Sequence, residues 1–241
     1  MSTTEIAITS DITPEQRTAA RVAGFLYLLL MATLMFAELY ARGPQLVRGD
    51  AAQTARNIAA TERLFRIGTV THLLTVAGDV ILLVALYVVL RAVNRNVALL
   101  AALWRVVETA VFAVAAIADL TALRILRGGS YFLAFEPAQL QALARLFLTI
   151  RTTGFQTGFA FLGLGSAVFS WLWLRSRYIP RPLAAWGIFS SLLLATVSLA
   201  TMIVPTLPTL GLGYMAPMFV YEVGLGLWLL VKGLRPPGRP R

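Results

Sequence analysis

Three ionisable side chains occur within one long apolar run of the sequence, and they are the first candidates for chemistry. Arg105, Glu108 and Asp119 lie within residues 97–123, a stretch long enough to cross a bilayer. At 100° per residue they fall within about 60° of one another on one helix face. Facing lipid they would cost roughly 6–9 kcal/mol, whereas the apolar residues of the run return only about 4–7 kcal/mol. We therefore expect this polar face to be turned towards other helices or a wet cavity.

Three interpretations of this polar face are open. The charged residues form a structural ion-pair strut, they form a site that binds a ligand or handles protons, or Asp119 simply lies near the outer interface. The neighbouring apolar runs contain further ionisable residues. Their depth in the bilayer can be counted from the short basic turns at about 1.5 Å per residue, which shows which of them can lie near Arg105, Glu108 or Asp119.

The depth count sorts the polar groups into two layers. The inner-to-middle layer contains Asp79, Arg105, Glu108 and Glu222. It holds three acids against one base, so at least one acid is expected to be protonated, solvated or bound to a cation. The outer layer contains His72, Asp119 and Arg151, with Glu38 as a further candidate. We predict that the inner layer is a mixed ion-pair cluster that joins the second, third and sixth membrane helices.

Composition places the chain among membrane proteins. Of its 241 residues, 58% are hydrophobic and only 13% are charged, whereas soluble domains have about 25% charged residues. The net charge of +10 is interpreted as loop arginines that meet anionic lipid headgroups, and no nucleic-acid partner is expected. The absence of cysteine and the single histidine exclude disulfides and a bis-histidine haem, and a zinc site would need an unusual set of carboxylates. No metal or cofactor is predicted.

The apolar runs predict an all-α bundle of six membrane helices. The predicted spans are residues 18–40, 64–90, 97–123, 152–174, 183–204 and 216–232. They form one domain, residues 17–232, between a polar tail of residues 1–16 and a basic tail of residues 233–241. An even number of spans puts both termini on one side. The distribution of Arg and Lys in the short segments favours the cytoplasmic side.

Two longer polar stretches, residues 41–62 and 124–149, are predicted to form small helical loops on the opposite side of the membrane. The first contains a short helix, residues 51–60, with Asp50 as its N-cap. In the second, a helix that starts at Pro137 either lies in the interface or merges into the fourth span. Asp11 or Thr13, followed by Pro14, predicts the start of the first helix.

Gly154 and Gly158 form a GxxxG pattern in the fourth span. Glycines at this spacing allow close helix approach. The pattern predicts either packing within the chain or dimerisation through this face.

Several short stretches form a recognisable pattern along the chain. They are Arg21-x-Ala23-Gly24-x-Leu26-Tyr27, Gly49-Asp50-Ala51, Thr54-Ala55, Asn57-Ile58, Glu62-x-Leu64-Phe65-Arg66, Asp79, Leu86-Tyr87, Val93-Asn94, Arg105-Val106-Val107-Glu108 and Ile179-Pro180-Arg181. In their order and spacing they resemble one family of bacterial membrane proteins, the domain of unknown function numbered 4386. The resemblance covers about residues 17–232. It implies a multi-span membrane protein without an assigned activity, so no catalytic residues carry over. It also implies that residues 50–66 and the Arg105/Glu108 pair are family features.

Three functions are compatible with these features. The preferred one is an integral protein of the bacterial cytoplasmic membrane that binds or carries a small or lipidic molecule in an intramembrane polar cavity. The second is an intramembrane enzyme with Asp79, Glu108 or Glu222 as general acid or base. The third is a structural or accessory subunit, for which the polar cluster should be dry and fully paired.

Overall fold

The computed structural model describes residues 12–47, 49–204 and 213–236, and the regular elements in this part of the chain are all helical. Its α-helices are α1 (Pro14–Met35), α2 (Ala51–Ala60), α3 (Glu62–Leu90), α4 (Arg95–Arg127), α5 (Pro137–Ser176), α6 (Arg181–Ile203) and α7 (Ala216–Val231). A π-helix (Phe36–Arg42) and a 3₁₀ turn (Gly43–Gln45) continue α1, and two more 3₁₀ turns lie at Ser130–Phe132 and Gly213–Met215. The predicted all-α class is confirmed.

Among the described residues, six helical segments are long and apolar enough to cross a membrane. They are Pro14–Gln45, Glu62–Leu90, Arg95–Arg127, Pro137–Ser176, Arg181–Ile203 and Gly213–Val231. The prediction of six spans is therefore confirmed, and the chain is a multi-pass membrane protein. The cytoplasmic position of both termini stays a prediction.

Side chains cap the first two α-helices where the sequence places polar residues. The Gln16 N–H donates to Thr13 Oγ1 at 3.2 Å, and the Gln16 side chain accepts from the Thr13 N–H at 3.0 Å. This reciprocal pair is a capping box and identifies Thr13 as the cap of α1. Asp50 Oδ1 accepts from the Gln53 N–H at 2.7 Å, which confirms the predicted cap of α2.

The connection between α4 and α5 is shorter than predicted. Residues 124–127 belong to α4, and residues 137–149 merge into α5 without a break. Gly128 and Gly129 end α4 because both have positive φ angles, 69° and 143°, which side-chain-bearing residues rarely adopt. With 40 residues, α5 is about 60 Å long, so it extends well beyond a hydrocarbon core of about 30 Å.

The first membrane helix also ends differently from the prediction. Its α-helical part stops at Met35, and a π-helix continues it past the predicted end at residue 40. The Gly43 N–H accordingly donates to the Glu38 carbonyl, five residues back. Of the predicted Pro- and Gly-rich connection at residues 205–217, residues 213–217 belong to a 3₁₀ turn and to the start of α7, so Pro217 is helical and not in a loop. Residues 205–212, including Pro205 and Pro208, lie outside the described residues, as do the outer parts of both predicted tails.

The described chain divides into two compact units. The first unit holds residues 12–28, 80–106, 160–204 and 213–236, and the second holds residues 29–47, 49–79 and 107–159. Within the first unit, α1 approaches α7 closely where Gly24 faces Gly226. Within the second unit, Ile58 of α2 joins a buried apolar core with Phe65, Leu123 and Leu148.

Candidate functional site

Two arginines and two carboxylates form a largely buried network in the second unit. The Arg42 guanidinium donates to Glu38 through one terminal nitrogen and to Asp119 through the other. Arg151 donates to the second oxygen of Glu38, and its Nε lies 3.3 Å from Asp119 Oδ2. Each acid therefore touches both arginines. We call Glu38, Arg42, Asp119 and Arg151 the charge quartet.

Three segments that are distant in sequence supply the quartet. The π-helix provides Glu38 and Arg42, α4 provides Asp119, and α5 provides Arg151. A glycine of α3 makes room for the Arg42 side chain, since a Cβ at Gly68 would lie 2.9 Å from Arg42 Cγ. Arg42 is only 1% exposed and Asp119 is fully buried. Arg42, Asp119 and Arg151 thus lie in the interior of their unit, whereas the Glu38 side chain is 22% exposed.

The quartet is electrically balanced, with two positive and two negative groups. Burying three of these charges is expensive, and the contacts of each acid with both arginines offset that cost. Some bonding capacity remains, because Asp119 Oδ1 and Arg42 Nε have no hydrogen-bond partner among the described residues. The arrangement can hold three chain segments in register, and removal of any one member leaves an uncompensated charge.

His72 lies beside the charge quartet in a group of aromatic rings. Its Nε2 is 3.2 Å from the carbonyl oxygen of Phe112, so Nε2 carries the hydrogen in this bond. The ring centroids of His72 and Phe155 are 5.3 Å apart. The Arg151 guanidinium lies over the same Phe155 ring, 4.7 Å from its centroid. Of the predicted outer-layer residues, Arg151 therefore contacts both Asp119 and Glu38. His72 is linked to Arg151 through the Phe155 ring, which both side chains approach.

Sequence reasoning missed Arg42. The apolar pattern predicts that the first span ends at residue 40 and that a polar loop follows it. The available signal was the spacing of Glu38 and Arg42, four residues apart and of opposite charge, which places them on one helix face.

In the first unit, the structure pairs two residues of the predicted inner layer. Arg105 is buried on α4 and donates to Ser166 Oγ of α5 at 3.1 Å. A terminal nitrogen of the same guanidinium lies 3.8 Å from Glu222 Oε1 of α7. Gly165 leaves the necessary space, because a Cβ there would lie 2.7 Å from Arg105 Cγ. The third and sixth spans are thus joined by an ion pair.

The other two predicted inner-layer residues belong to the second unit. Asp79 of α3 accepts a hydrogen bond from the Thr109 hydroxyl of α4 at 3.1 Å, and Glu108 is buried on α4. A single cluster of all four inner-layer residues stays a prediction.

The predicted glycine pair of α5 faces α4 of the same chain. A Cβ at Gly154 would lie 3.6 Å from Ala115 Cβ, and one at Gly158 would overlap the Phe112 ring. Gly158 therefore allows close packing within the second unit, whereas a Cβ at Gly154 would make an ordinary contact, and dimerisation through this pair stays a prediction.

A groove of about 780 Å³ lies in the second unit. It is lined by Arg66, Ile117, Leu120, Thr121, Arg124, Arg127 and Gly128, and we call it the arginine groove. At the rim of the groove, Glu62 contacts two of these arginines. Its Oε1 lies 2.8 Å from Arg66 Nε, and its Oε2 lies 3.5 Å from Arg127 Nε. No local sequence motif indicates this site, because its arginines are distant in sequence: α3 supplies one and α4 supplies the other two.

Comparisons with curated proteins and with solved structures give no match. The family model described as "Domain of unknown function (DUF4386)" matches residues 22–233, a range that includes the charge quartet, the Arg105–Glu222 pair and the arginine groove. The match confirms the resemblance found in the sequence, and its description assigns no activity. Because it covers most of the chain, the protein belongs to the DUF4386 family.

Proposed function

We propose that this protein binds or carries an anionic amphiphile, a small or lipidic molecule with a charged head and an apolar body, in the bacterial cytoplasmic membrane. The arginine groove carries this proposal. Its volume lies within the range of about 300–1,000 Å³ that is usual for small-molecule sites. Its lining combines three guanidinium groups with apolar side chains, which suits a ligand of mixed polarity.

The two kinds of lining residue are separated along α4. Arg124 and Arg127 lie in its last turn, whereas Ile117 and Leu120 lie one to two turns earlier. Both apolar side chains are exposed, Ile117 by 61% and Leu120 by 38%. A ligand that lies along α4 would therefore place its charged head among the arginines and its apolar part beside Ile117 and Leu120.

A structural or accessory role is the second candidate, and the charge quartet favours it. Its four charges balance, and each acid touches both bases. Such a network fits a strut better than a site that must exchange partners. This second function predicts that the protein retains no amphiphile at the arginine groove.

Native mass spectrometry of the purified protein tests the proposed function. We expect the wild type to keep a bound amphiphile after extraction in a mild detergent. The double variant Arg124→Gln/Arg127→Gln should lose it, because two of the three groove arginines become neutral. The matched control is Arg56→Gln/Arg63→Gln, which removes the same charge from exposed residues of the same unit outside the groove lining.

Retention in the wild type and the control, with loss in the groove variant, supports the proposal. Absence of any bound amphiphile in all three proteins would contradict it and favour the structural role. Equal retention by all three would mean that the ligand binds elsewhere.

A further inference from the structure

We infer that the ligand of the arginine groove is a phospholipid whose head carries two negative phosphate charges. This inference rests on the proposed function and adds the chemical class of the head. It follows from the charge count of the groove, the directions from which its arginines come, and their depth along the helices.

The charge count sets the charge of the head. Three arginines line the groove, and Glu62 at the rim contacts two of them. Three positive charges and one negative charge leave a net charge of +2. A head with two negative charges would balance this excess, whereas a zwitterionic head would leave it unchanged.

The bonds of Glu62 leave guanidinium surface for a ligand. Its contacts with Arg66 and Arg127 in the described chain both run through Nε. The side chains of Arg66 and Arg127 are 43% and 61% exposed, so their terminal nitrogens can reach a phosphate from two helices. Guanidinium groups bind phosphate and carboxylate oxygens through paired hydrogen bonds. The charge count, and not this geometry, favours a two-phosphate head over a single carboxylate.

The length of α4 places these arginines at headgroup depth. Its 33 residues span about 50 Å, some 20 Å more than a hydrocarbon core of about 30 Å. Arg124 and Arg127 end the helix and therefore lie beyond the core, whereas Ile117 lies about 10–15 Å deeper along the same helix. This order of charged and apolar groups matches a phospholipid in the bilayer.

The test is a binding series in nanodiscs made of a zwitterionic phosphatidylcholine. Four probes are added in separate arms: a phospholipid with two phosphodiester groups, an anionic phospholipid with one phosphodiester group and therefore one negative charge, a long-chain fatty acid and inorganic phosphate. The wild type, Arg124→Gln/Arg127→Gln and the control Arg56→Gln/Arg63→Gln are compared by native mass spectrometry. The folded fraction of each variant is checked by size-exclusion chromatography.

We expect the wild type and the control to bind the two-phosphate lipid most tightly. The groove variant should bind it up to about 25-fold more weakly, since each lost exposed ion pair between an arginine and a phosphate costs up to roughly fivefold in affinity. Preference for the fatty acid, or equal binding of the one-phosphate lipid, would overturn the inference and leave the proposed function standing. Displacement of the bound lipid by inorganic phosphate at equal concentration would also overturn the inference, because the ligand would then be a small anion. Groove-independent binding of every probe would overturn both.

Discussion

Replacing Asp119 with leucine is expected to destabilise the folded protein by about 3–5 kcal/mol. The change leaves Arg42 and Arg151 in the interior with Glu38 as the remaining acid of the charge quartet. Removing one member of a buried ion pair is this costly because the other member keeps its charge without compensation. Unfolding in mixed micelles with increasing denaturing detergent measures the loss.

A double variant separates the cost of an unpaired charge from the cost of a lost contact. In Arg42→Met/Asp119→Leu one base and one acid leave together, and Glu38 stays paired with Arg151. Because apolar residues of similar volume can replace a buried ion pair at little cost, we expect most of the stability to return. If the double variant is as unstable as Asp119→Leu, the quartet is not held by charge balance.

The control for this series is an exposed ion pair. Arg91 and Glu15 approach to 3.0 Å, but their side chains are 44% and 63% exposed. Pairs of this kind contribute about 0–1 kcal/mol, so Arg91→Gln should change the unfolding free energy very little. A large effect of Arg91→Gln would show that the measurement responds to general charge loss.

Replacing Gly24 with alanine is the second large change, with an expected loss of about 1–3 kcal/mol. A Cβ at this position would lie 2.5 Å from the Leu230 nitrogen and 2.8 Å from the Gly226 oxygen, both in the backbone of α7. Backbone atoms of a packed helix cannot rotate away, so α1 and α7 would have to separate. Thermal unfolding in detergent, followed by size-exclusion chromatography, measures the shift.

Two other glycines, both in α5, test whether the loss of stability depends on the space available for a Cβ atom. A Cβ at Gly163 would lie 2.7 Å from the Ala195 nitrogen, so Gly163→Ala should also destabilise. A Cβ at Gly154 would lie in ordinary contact at 3.6 Å, and Gly154→Ala should leave stability unchanged or raise it by about 0.5–1 kcal/mol. Equal losses at Gly24, Gly163 and Gly154 would contradict the steric explanation.

The helices could be predicted because each depends on local sequence. Long apolar runs identify the spans, and Thr13 with Gln16, or Asp50 with Gln53, fixes where a helix starts. The sequence does not decide whether residues 137–149 continue into α5 or lie in the interface. An amphipathic stretch that precedes a span has a similar residue pattern in both cases. Packing decides between these two outcomes.

The sites were less accessible to sequence reasoning. Counting along the helices placed Asp119 and Arg151 at one depth, and the structure brings Arg151 Nε to 3.3 Å from Asp119 Oδ2. The role of Arg42 depends on a π-helix, and no residue type signals i→i+5 bonding. The arginine groove depends on how α3 and α4 pack, because residues distant in sequence line it together.

The π-helix at Phe36–Arg42 changes how the first span should be drawn. Each of its turns contains more residues than an α-helical turn, so the angular phase of the chain slips within this segment. A helical wheel that is drawn at 100° per residue from Pro14 to Arg42 therefore assigns residues after Met35 to the wrong sector. Mutational scans of this span should be plotted as two wheels that meet at Met35.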